Sequence, residues 1–149
     1  MSQENVELVR RAFELFNQGG VPAAFSSGLM SPELVFDPSA SGIPGAGVYR
    51  GRDEVWAFFE EDWFEAFPFD EWELEVEELI DHGDQVFAMT RQRGRGASSG
   101  VAAELVLANI FTLRDGEVVR IELYRDRERA LEVAGLSPAP PIISKKPNQ

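Results

Sequence analysis

Residues 71–125 read EWELEVEELIDHGDQVFAMTRQRGRGASSGVAAELVLANIFTLRDGEVVRIELYR. Four apolar-rich runs lie there. Turn signals separate them at His82-Gly83-Asp84, at Gly94 to Gly100 and at Arg114-Asp115-Gly116. In the first run Trp72, Leu74 and Val76 alternate with Glu73, Glu75 and Glu77. Alternation with period two marks a strand with one buried face. Asp115-Gly116 between apolar runs is a hairpin signal. Connections this short join antiparallel neighbours, because parallel pairing needs a long crossover. The stretch therefore predicts a curled antiparallel sheet, with the upstream chain packed on one face.

Upstream, residues 3–18 carry Val6, Val9, Phe13 and Phe16 at helical spacing, with Ala12 between them. Ser2 can cap this helix, and Gly19-Gly20 stops it. Val21 to Gly28 reads as a short second helix with Pro22 near its start. Leu34-Val35-Phe36 reads as a short strand closed by Asp37-Pro38. Residues 39–51 form a glycine-rich loop without the strand–turn–helix frame of a phosphate cradle. A third helix is expected from an Asp53 cap to about Phe67. Its apolar set of Val55, Trp56, Phe58, Phe59, Trp63, Phe64 and Phe67 is wider than one contact stripe needs. Such a belt serves either as plain core or as the lining of a cavity for a flat apolar ligand. After the sheet, Asp126 to Ala134 is a short helix with Gly135 as its cap. Residues 1–135 thus form one domain. Residues 136–149, with four prolines and two adjacent lysines, form an extended or disordered tail.

Composition narrows the function. Acidic residues outnumber basic ones 26 to 14, for a net charge of −12. That balance argues against nucleic acid or an anionic membrane as partner. No apolar run approaches the ~18 residues of a membrane span, and the N-terminus lacks a signal-peptide pattern, so a cytoplasmic location is expected. There is no cysteine, and the one histidine, His82, falls in a turn. Neither a disulfide nor a zinc site is expected, and no cofactor is implied.

The sheet faces carry the site expectation. In the third run Ala103, Leu105, Leu107, Asn109, Phe111 and Leu113 alternate with Glu104, Val106, Ala108, Ile110 and Thr112. Both sets are largely apolar, so both faces should be covered. The helices cover one. A second copy of the chain would cover the other, in a homodimer centred on Val106, Ala108 and Ile110. If the more apolar sets of the neighbouring runs also face the helices, Asn109 and Arg91 point inward amid Phe87, Met89, Leu107 and Leu123.

The order of these elements resembles the nuclear-transport-factor-2-like superfamily, in its SnoaL-like polyketide cyclase and ketosteroid isomerase branch. The resemblance rests on VELVRRAFELFNQGG, SPELVFDP, YRGRDEVWAFF and GEVVRIELYRDRERAL and covers about residues 4–134. It implies an α+β cone, in which a curled sheet wraps three N-terminal helices around an apolar pocket and a short helix follows. The pocket would be lined by Tyr49, Trp56, Phe59, Trp63, Phe87, Met89, Leu107 and Leu123. In ketosteroid isomerases the Asp of a Val-x-Asp-Pro segment is the general base, and Asp37 matches it. Their oxyanion donors are a Tyr, which falls on Ala12 here, and an Asp, which falls on Asn109. The resemblance thus implies acid–base chemistry on a hydrophobic carbonyl compound, of isomerase, cyclase or dehydratase type. Asp37 would be base, Asn109 oxyanion donor and Arg91 electrostatic support. Two alternatives stay open: a domain that binds a small ligand without catalysis, and a protein-interaction module using the outer sheet face.

Overall fold

The computed structural model describes residues 2–43 and 47–136. The Ser2 cap and the tail beyond residue 136 lie outside the described side chains and residues. Helix α1 (Ser2–Ser26) buries Val6, Val9, Ala12 and Phe13 on one stripe. Fully burying such an aliphatic or aromatic side chain contributes roughly 1.5–3 kcal/mol. The helix breaks at Gly20, whose φ of 72° and ψ of −155° suit glycine alone, and Pro22 opens a second helical segment. The expected stop and restart are both present.

Strand β1 (Met30–Ala40) is longer than expected and runs through Asp37-Pro38 instead of ending there. Pro38 has no N–H to give. It is accommodated because β2 (Tyr49–Arg50) pairs only with Val35 and Phe36, and the register toward the other neighbour shifts between Asp37 and Ala40. Helix α2 (Gly51–Ala57) starts two residues before the expected Asp53 cap. Its Glu54 carboxylate instead accepts the backbone N–H of Arg50 at 2.8 Å. A π-helical stretch (Phe58–Trp63) and α3 (Phe64–Ala66) continue it. A short 3₁₀ turn (Phe69–Glu71) leads into the sheet.

Strands β3 (Glu73–His82), β4 (Gln85–Arg95), β5 (Ala102–Arg114) and β6 (Glu117–Tyr124) follow the four expected runs. The six strands lie in the order β2-β1-β6-β5-β4-β3. All pairs are antiparallel except β1 with β6, which is parallel because everything between them acts as crossover. The concave face packs on α1 and the aromatic helix, as an α+β cone requires. Trp72 is buried and Leu74 faces inward.

The convex face differs from expectation. Helix α4 (Arg127–Ala134) is capped by Asp126, which accepts from Glu128 N–H at 3.0 Å, and ends on a left-handed Gly135. It lays Ala130, Leu131 and Ala134 on Phe87, Ala108 and Ile110. Ala108 and Ile110 are therefore sealed by α4 of the same chain, and of the expected dimer centre Val106 is exposed. A second copy is not needed to cover them. Among the described residues no helix is long and apolar enough to cross a membrane.

Candidate functional site

The cavity forms where the aromatic helix meets the concave sheet. The π-helical stretch shapes its wall. Five residues of an α-helix turn through 500°, which leaves i and i+5 roughly 140° apart. The wider π turn brings them into line. Phe58 stacks on Trp63 with centroids 6.3 Å apart, and Phe59 on Phe64 at 6.1 Å. Phe58, Phe59 and Trp63 face the cavity, while Glu60, Glu61 and Asp62 face solvent. From the other side come Phe13 and Phe16 of α1 and Phe36, Leu105, Leu107, Phe111, Ile121 and Leu123 of the sheet. The cavity volume is about 100 Å³.

Among the described residues that line it, the polar groups are the amides of Gln92 and Asn109 and the indole N–H of Trp63. Asn109 is buried on β5 opposite Ala88 of β4. Its Nδ2 donates toward the Ala88 carbonyl at 3.1 Å, Thr90 Oγ1 at 3.1 Å and the Leu107 carbonyl at 3.2 Å. Two N–H bonds shared among three acceptors leave no donor for an oxyanion. Gln92, on the same face, accepts the indole N–H of Trp72 through Oε1 at 3.0 Å. Trp72 lies against Gly94, where a Cβ would clash with the indole ring. Any side chain at position 94 would displace Trp72 and, through it, Gln92.

The cavity brings together Asn109, Phe59, Trp63, Leu107 and Leu123 from the expected set, and leaves out the rest. Ala88 pairs with Asn109, whereas Phe87, Met89 and Arg91 pair with Ile110, Ala108 and Val106. Paired residues share a face. Phe87, Met89 and Arg91 therefore sit on the convex face, the first two under or beside α4. Arg91 donates to Glu77 at 2.8 Å and Glu104 at 3.2 Å, and the Glu77 hydrogen bond and charge raise its pKa. Trp56 points outward against Phe25, and Tyr49 packs behind Phe58, its ring centroid 4.8 Å away.

Asp37 is also convex. Its neighbour Phe36 lines the cavity, so alternation turns Asp37 away. There Oδ1 accepts the N–H and hydroxyl of Ser39 at 3.0 and 2.6 Å, and Oδ2 accepts from Arg120 at 3.2 Å. Arg120 also donates to Glu122 at 2.6 Å, and Glu122 accepts the Tyr124 hydroxyl at 3.0 Å. Among the described residues no ionisable side chain lines the cavity, and no group of three or more His, Asp or Glu converges as metal ligands do.

Residues 9–121 match the family model of the SnoaL-like domain. The chain belongs to the SnoaL-like family. Solved structures carry the same fold. A nuclear-transport-factor-2-like protein of unknown function from Burkholderia pseudomallei is 22% identical, with a TM-score of 0.69 over 90% of this chain and 98% of that one. A proposed SnoaL-like polyketide cyclase from Jannaschia sp. is 26% identical, with a TM-score of 0.68 over 95% and 96%. TerC, crystallised with polyporic acid, is 20% identical, with a TM-score of 0.68 over 89% and 98%. None of the curated proteins compared with the chain matches it. Within this SnoaL-like domain, sequence reading missed Gln92, Phe16, Phe36, Leu105, Phe111 and Ile121 as cavity residues. The Arg91, Arg93, Arg95 alternation was the signal for Gln92, since it marks the solvent face of β4.

Proposed function

We propose that this SnoaL-like domain binds a small, uncharged and largely apolar molecule in its cavity. The observation that carries this reading is that every described lining side chain is uncharged: aliphatic, aromatic or a neutral amide. An ionised ligand group would lose its hydration there without a counter-charge. Acid–base turnover needs a base within hydrogen-bond reach of the substrate, and Asp37 is turned to the opposite face. The fold's capacity for small molecules is consistent with TerC, which was crystallised with one. An engineered apolar cavity of about 150 Å³ holds benzene. At about 100 Å³, this cavity suits a ligand of one ring or less, and a larger one would require the π-helical wall to shift. The isomerase, cyclase or dehydratase reading keeps support from the cyclase-like neighbours alone.

Calorimetric titration with toluene and with benzoate tests the proposal. Toluene should bind, and benzoate should bind at least about tenfold more weakly, because the carboxylate would be buried unpaired. Equal affinities, or no binding of toluene, would overturn it.

A further inference from the structure

The two amides that line the cavity are not interchangeable. Asn109 commits its Nδ2 to the sheet, to two backbone carbonyls and Thr90 Oγ1. The carbonyls only accept, which fixes the orientation of the amide. No described group donates to its Oδ1, and that oxygen is not a sealed, unsatisfied atom. It is an acceptor open to the cavity. Gln92 is arranged the other way round. Its Oε1 is occupied by the Trp72 indole, which can only donate, so its Nε2 is the half left for the cavity.

The two groups also stand apart. Gln92 pairs with Leu105 across the β4–β5 ladder, and Asn109 lies four residues further along β5. At 3.3 Å per residue that is about 13 Å of strand, with Leu107 between them on the same face.

We propose that the cavity is polarised end to end. It takes a neutral ligand that presents a hydroxyl or N–H to Oδ1 of Asn109, or a carbonyl or ether oxygen to Nε2 of Gln92. The proposal rests on the cavity being a binding site, as argued above. It adds the direction of each hydrogen bond and so the class of ligand, hydroxylated or carbonyl-bearing hydrocarbons.

Two shape-matched pairs of probes separate the proposals. Phenol and toluene differ by a donor, and acetophenone and cumene by an acceptor. In the wild-type protein phenol and acetophenone should bind at least as tightly as their hydrocarbon partners, despite their greater hydration. In Asn109→Leu, phenol should weaken about 3–10-fold, the usual worth of a net hydrogen bond, with toluene within twofold. In Gln92→Met, acetophenone should weaken similarly and cumene should not. Circular dichroism melts check that each variant is folded, and the wild-type pairs decide the matter if one is not. Hydrocarbons that bind more tightly than both oxygenated partners would overturn the polarity and leave the apolar cavity standing. Failure of all four probes would overturn both. A loss of phenol binding in Gln92→Met instead of Asn109→Leu would show the polarity reversed and refute the assignment.

Discussion

The indole N–H of Trp72 donates to Oε1 of Gln92 at 3.0 Å. This bond links the residue that leads into β3 to the cavity wall. It holds in one orientation an amide that could otherwise present either end. Trp72→Phe keeps an aromatic ring over Gly94 but removes the donor. The loss should destabilise the fold by about 1 kcal/mol, the net worth of one hydrogen bond, plus a smaller packing deficit. Urea denaturation reads it as a lower midpoint at unchanged slope. A midpoint equal to wild type would mean the bond holds nothing.

The convex face gives a second expectation. Ile110 is fully buried beneath α4. Ile110→Asp would place a carboxylate there with no partner, so it should lower stability by several kcal/mol in a single chain. Val106 is 38% exposed on the same face, beside the ladder in which Arg91 and Arg93 bridge Glu77, Glu75 and Glu104. A homodimer through this face is proposed to centre there, since alternating charges can pair with their own copy across a two-fold axis. Val106→Asp should leave the melting temperature of the monomer nearly unchanged and shift sedimentation toward monomer. A wild-type chain that sediments as monomer at high concentration would remove the dimer.

A third expectation concerns Asp37. Because it faces away from the cavity, Asp37→Asn should leave toluene and phenol affinity within twofold of wild type. Arg120 keeps Glu122 at 2.6 Å, and the lost pair is partly exposed, with 19% of the Asp37 side chain and 36% of the Arg120 side chain accessible. Exposed pairs contribute about 1 kcal/mol or less, so the urea midpoint should move little. A marked loss of cavity binding would restore Asp37 to the site.

The fold was legible because several local signals agree: the Glu73–Glu77 alternation, the Asp115-Gly116 turn, Pro22 after a glycine pair, and Gly135 closing α4. The site was only partly legible, and the reason is phase. The connection from Gly94 to Gly100 does not fix which set of β4 opposes which set of β5. Apolarity alone favoured Phe87 and Met89 as inward. Charge decides otherwise. Glu73 and Glu75 pair with Arg93 and Arg91, so the arginines share the exposed face of the glutamates, and Val86, Ala88, Thr90 and Gln92 turn inward. Phe87 and Met89 could remain apolar on the convex side because α4 covers them, a contact no periodicity announces. The π turn was hidden for a similar reason. FFEEDW has the composition of an α-helix, and only the stacking of Phe58 on Trp63 reveals the extra residue.

The last expectation concerns pH. The Tyr124 hydroxyl is pushed up to about 12 from an ordinary 10.0, first by burial, then by its hydrogen bond to Glu122 and the negative charges of Glu122 and Asp37, with Arg120 opposing. The raised value means that the fold prefers the neutral phenol. Below about pH 10 the phenol is protonated in the folded and unfolded chain alike, and its contribution is constant. Above that, the unfolded chain gives up the proton first. Unfolding then releases a proton, and stability falls as pH rises toward 12. Other groups titrate in the same range, so the informative quantity is the difference between wild type and Tyr124→Phe. At pH 8 the variant should be less stable, having lost the bond to Glu122. Between pH 10 and 12 it is spared the penalty of ionisation, so the gap between the two urea midpoints should narrow. A gap that stays constant from pH 8 to 11.5 would mean that Tyr124 ionises as readily in the fold as in the open chain, and that Glu122 does not hold it.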